Sequence, residues 1–94
     1  MSAIAAKLSY ANVTQAAAAT IKTGPAGFWG LTVTASSSGT VTIYDNTSAT
    51  GTILFTKSSL AVGDVIHFGG IGIAAKNGLH VVCGGTCTVN VIYV

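Results

Sequence analysis

The chain contains no arginine and no glutamate, and its only side-chain carboxylates are Asp45 and Asp64. Charged residues make up 6% of its 94 positions, against about 25% in an average soluble protein. Each scarcity closes off a class of function. The cations Lys7, Lys22, Lys57 and Lys76 are scattered along the chain, so no basic patch forms of the kind that neutralises phosphates, and nucleic-acid binding is not expected. No stretch approaches the roughly 20 apolar residues of a membrane span, so no membrane partner is expected. The start, MSAIAAKLSYANV, lacks the basic segment and apolar core of a secretory leader. The chain is therefore expected to be made in a cytoplasm and kept or assembled there. In that setting the Asn-X-Ser/Thr triplets at Asn12 and Asn46 read as strand and turn residues rather than glycan acceptors.

Reactive groups are equally sparse. General acid–base chemistry needs carboxylates, histidines or similar groups gathered in a pocket. Besides lysines and tyrosines, only Asp45, Asp64, His67 and His80 are on offer. Asp45 opens a turn and Asp64 follows Gly63, and at both an Asx side chain bonding its own backbone is the ordinary use. His67 and His80 lie within strand patterns, and the spacing supplies no third ligand for a two-histidine metal site. No G-x-S-x-G elbow frames a serine. The glycines of GGIGIAAKNG open no helix, so they are not a phosphate loop. The expectation is no enzyme, no cofactor and no metal.

What the chain does contain is β-sequence. Hydrophobic residues reach 50%, and from Phe28 onward they alternate with Thr and Ser at period two. FWGLTVTASS places Trp29, Leu31, Val33 and Ala35 in one phase, which assigns Trp29 to the core and leaves Phe28 on the other side. TVTIYDNTSATGTILFTKS, from Thr40 to Ser58, reads as a hairpin with its tip at Asp45–Gly51. VIHF puts His67 with Val65 and Phe68 with Ile66. Asn77-Gly78 is a strong turn dipeptide. If Leu79, Val81 and Cys83 face the core, His80 faces out. LHVVCGGTCTVNVIYV reads as a closing hairpin with a Gly84-Gly85-Thr86 tip. Cys83 and Cys87 would then face each other with Cα atoms about 5.5 Å apart, within disulfide range. The alternative is a pair of free thiols packed at the end of the core, the state a cytoplasm favours.

Short strands at regular spacing with Gly-rich turns predict an all-β, single-domain antiparallel β-sandwich or small β-barrel, a jelly roll being one form of it. Residues 1–25 read as an N-terminal arm or edge strand: KLSYANVTQ alternates, AAAAT is too short for a lone helix, and Pro25 breaks the chain. Residues 26–94 form the β-sandwich domain. A surface so poor in charge is weakly protected against association, which predicts cover by partners and a homo-oligomer, a trimer being one form. The candidate interface residues are Phe28, His67 and Phe68, on strands apolar on both faces, with Asp45, Asn46 and Thr47 at the hairpin tip.

Four features carry a resemblance. They are the FWGLTV opening strand, the Ile43–Gly51 tip IYDNTSATG, the GIGI segment running into Asn77-Gly78-Leu79, and the final VNVIY strand. From about Gly27 to the end, the chain resembles small β-rich structural proteins of tailed bacteriophages, the head-decoration and neck or tail accessory components. The resemblance implies an assembly role in the virion, with the major capsid protein or other virion proteins as partners, without fixing which role; capsid decoration, on the outer surface of the head, is the leading reading. A neck, tail or fibre component is the alternative. A carbohydrate-binding module, with Trp29, Tyr44 or Tyr93 as a stacking platform, is the reading from another class. The Cys83–Cys87 pair is not part of the family pattern.

Overall fold

Two long strands organise the molecule. In the computed structural model, which describes residues 9–14, 17–68 and 72–94, β3 spans Ala26–Tyr44 and β7 spans Gly78–Tyr93. Thr, Val and Ile dominate both, and β-branched side chains suit a pleated, half-buried surface. The two pair antiparallel from Phe28↔Tyr93 to Tyr44↔His80. Fully extended, the 19 residues of β3 would reach roughly 60 Å. The longest dimension of the molecule is 38 Å, so the ribbon must fold over.

It folds at a corner where Ser36–Thr40 runs beside Gly84–Cys87 and the register slips between Ser37 and Ser38. The remaining strands flank the two halves. The first layer holds β1 (Ser9–Val13), the C-terminal half of β7, the N-terminal half of β3, and the short strands β5 (Val65–His67) and β6 (Ile73–Ala75). The second holds β2 (Ala17–Thr23), the N-terminal half of β7, the C-terminal half of β3, and β4 (Ile53–Lys57). One continuous seven-stranded antiparallel sheet is thus folded into a sandwich, as the alternation predicted.

The core lies between the layers. Phe28, Leu31, Val33, Val89, Val91 and Val13 meet Val41, Ile43, Leu79 and Val81, all buried. Each such side chain contributes about 1.5–3 kcal/mol by leaving water. Leu60 plugs the corner. The Ser36 hydroxyl donates to the Leu60 carbonyl (2.8 Å) and accepts from the Gly39 amide (3.2 Å), while the Leu60 amide donates to the Gly39 carbonyl (3.0 Å).

Three expectations change. The closing hairpin does not exist, because residues 80–84 and 86–93 pair with β3 rather than with each other. Its Gly-Gly-Thr segment is the corner, and β3 turns with it. Trp29 is not a core residue. A register shift between Phe28 and Gly30 makes Trp29 the extra residue of a bulge, so Phe28 and Leu31, three apart, share the inner face. Phe28 is fully buried against Phe55 (ring centroids 6.0 Å) and Phe68 (5.4 Å), which removes it from any docking surface. The described part of the expected arm or edge strand is two edge strands, one per layer, with residues 1–8 outside the described residues. A truncation within residues 9–23 would strip the sheet itself.

Candidate functional site

The hairpin tip is tied down rather than free. Asn46 closes it from within: its side-chain carbonyl accepts the Thr47 amide (2.8 Å), and its Nδ2 donates to the Thr50 carbonyl (3.0 Å) and Oγ1 (3.1 Å). Asp45 does not bond its own turn as expected. Its Oδ1 accepts the amides of Asn77 (2.8 Å) and Lys76 (3.0 Å), in the turn between β6 and β7. The Asn77 amide is the main cause that holds the Asp45 carboxyl below its ordinary value; desolvation opposes it, and the Lys76 and Gly78 amides and the Lys76 charge add to the lowering. The Thr20 hydroxyl on β2 donates to the Thr47 carbonyl (3.0 Å). Gly78, at φ 147°, lets these segments close up, since a Cβ there would lie 2.6 Å from the Lys22 carbonyl oxygen and 3.1 Å from that of Asn46. Thr47, Ser48, Ala49 and Thr50 remain exposed on the outside of this knot.

His67 and Phe68 go to different places. The His67 ring stacks on Trp29 at 5.8 Å and 17° on the outer face of the first layer. Phe68 turns inward onto Phe28 and Phe55 yet stays 40% exposed, at the sandwich mouth. His80 faces out from the second layer, its Nδ1 2.9 Å from the Thr20 hydroxyl and its ring near Tyr44. Cys83 and Cys87 are joined by a disulfide with Cα atoms 6.2 Å apart, both buried at the corner. The favoured free thiols are thereby replaced. A straight strand would separate residues four apart by about 13 Å, so the bend itself brings the sulfurs together.

The three aromatics of the sugar-platform reading lie apart. Trp29 is on the outer face of the first layer, Tyr44 is on that of the second, and Tyr93 packs on the core. No platform unites them. Charge among the described residues sits only at margins: Lys22 and Lys57 are on edge strands, and Lys76, Asp45 and Asp64 are in turns. Among the described residues, neither sheet face carries a charged group in its centre, and no three of His, Cys and Asp gather as a metal site would require.

Strand order brings together one group that sequence pattern did not single out. On the outer face of the first layer, Tyr10 lies beside Ile92, Ile92 beside Gly30, and Gly30 beside His67. The next row runs Asn12, Asn90, Thr32 and Val65. Alternation places Tyr10 and Asn12 in one phase, but only the pairing of β1 with β7 puts them next to Ile92 and Asn90. Comparison of the chain with protein-family models, with curated proteins and with solved structures gives no match.

Proposed function

We propose that the chain is a structural protein of a tailed-bacteriophage particle, a decoration (cement) protein that binds the outer surface of the head and stabilises it. The observation that carries this reading is the character of the surface. The outer faces carry uncharged polar groups, Asn12, Asn90 and Thr32 on the first layer and Thr20, Thr42 and Thr56 on the second, with no charged group at their centres among the described residues, and Tyr10, Ile53, Val62, Val65 and Phe68 are exposed. Each layer also ends in short edge strands paired on one side only. Exposed apolar groups and open edges are features that symmetric neighbours cover in an array. The partners are the major capsid protein and further copies of the chain, and the chain carries out no catalysis.

Co-sedimentation with purified heads of the encoding phage tests this. The chain is expected to pellet with expanded heads up to a fixed number per capsid subunit. Binding to tails alone would favour the neck, tail or fibre role, and binding to neither would remove the assembly reading.

A further inference from the structure

We propose that the outer face of the first layer is a binding site for a neutral glycan. The site is built by strand pairing and is tested without a particle; on this face a glycan competes with the neighbours of the assembly reading, which would cover Tyr10 and Val65.

Two parallel rows cross this face. The first runs Tyr10, Ile92, Gly30, His67, with Trp29 standing at the bulge beside Gly30 and stacked on His67. Neighbouring strands lie about 4.8 Å apart, so Tyr10 and Gly30 are roughly 10 Å apart. Gly30 has no side chain and cannot acquire one, since a Cβ there would lie 2.9 Å from the Cα of His67 as well as against the Ile66 carbonyl. Gly30 is buried there, closed in by β5, so between the aromatic rings the row presents the half-buried Ile92 as its apolar middle. The apolar C–H face of a pyranose fits such a surface, which combines a large apolar ring area with little conformational freedom to lose.

The second row supplies the polar contacts. The Asn12 Nδ2 donates to the Asn90 Oδ1 at 2.8 Å. That bond uses one donor and one acceptor of the pair. The Asn12 Oδ1 and the Asn90 Nδ2 have no other hydrogen-bond partner among the described residues, and both residues lie in the row next to the aromatic one. An acceptor beside a donor matches sugar hydroxyls, which both donate and accept. Thr32 extends the row with a further hydroxyl. No charged side chain among the described residues lies on this face. The described polar groups of this row are amides and hydroxyls, which suit the hydroxyls of an uncharged sugar.

The test is native gel electrophoresis in gels containing dissolved neutral polysaccharides (a β-glucan, an α-glucan, a galactomannan) and, separately, acidic alginate. At least one neutral polymer is expected to retard the protein, and the matching oligosaccharide to shift the fluorescence of Trp29, the only tryptophan. Tyr10→Ala and Asn90→Ala should each weaken that binding roughly tenfold, the loss of about one good contact. Tyr44→Ala, on the opposite layer, should leave it unchanged. Tyr10 is 71% exposed, so its truncation tests the face without testing the fold. The proposal is overturned by no retardation in any neutral polymer, by retardation in alginate alone, or by binding indifferent to Tyr10→Ala. Trp29 emission that changes with protein concentration alone, alongside a dimer in sedimentation, would also overturn it by assigning the face to a second copy.

Discussion

The carboxylate of Asp45 accepts the backbone amide of Asn77 at 2.8 Å, joining the β3–β4 hairpin to the turn that feeds β7. Amide donation favours the ionised carboxylate, so its folded-state value lies below the ordinary 3.8. A depressed value stabilises the fold at pH above the unfolded value, and that contribution is lost as pH falls through the folded one. Urea unfolding of the wild type should therefore weaken on acidification below about pH 4, whereas Asp45→Asn should be less stable at neutral pH and flatter in acid. Parallel profiles would show that the contact does not couple to folding.

Phe28 and Phe68 touch but differ in burial, and so should their variants. Phe28→Ala removes a fully buried ring and should cost about 3–5 kcal/mol, enough to unfold much of a marginal domain of this size. Phe68→Ala removes a ring that is 40% exposed and should cost about 1 kcal/mol. Equal losses in chemical denaturation would refute the bulge at Trp29 that turns Phe28 inward.

The Cys83–Cys87 bridge closes a small loop, with a sequence separation of 4. Chain-entropy reasoning assigns such a loop about 2 kcal/mol. Reductant should lower the denaturation midpoint accordingly, and the Cys83→Ala/Cys87→Ala double variant should be insensitive to reductant. Thiol titration of the native protein should find no reactive group. Two equivalents of rapidly reacting thiol would contradict the bridge.

Gly78 sits where the hairpin tip, β2 and β7 converge. Gly78→Ala should cost about 1–3 kcal/mol, because a side chain would meet the Lys22 and Asn46 carbonyls in a backbone region that L-residues avoid. Gly24, also at positive φ but with open space around it, should lose less on the same change. Reversal of that order in thermal melts would remove Gly78 from the knot.

Period-two alternation made the all-β class and the Thr40–Ser58 hairpin legible, because inward and outward residues differ in polarity along each strand. It assigned the outward His80 through Leu79 and Val81 for the same reason. The bulge at Trp29 was not legible, since one inserted residue reverses the phase without changing composition. Nor was the corner, as Gly84-Gly85-Thr86 is equally suited to a hairpin tip. What decides between them is that β3 is long enough to pair with both halves of β7. The Asp45–Asn77 contact and the Asn12–Asn90 pair span 32 and 78 positions, beyond the reach of any local pattern.

The central claim concerns assembly, and copy number tests it most directly. On the proposed role, mass spectrometry of purified phage particles that carry this chain should find it in a number comparable with the major capsid protein, as a protein tiling the head requires. Its absence from the particles, or a count of only a few rings' worth, would contradict decoration.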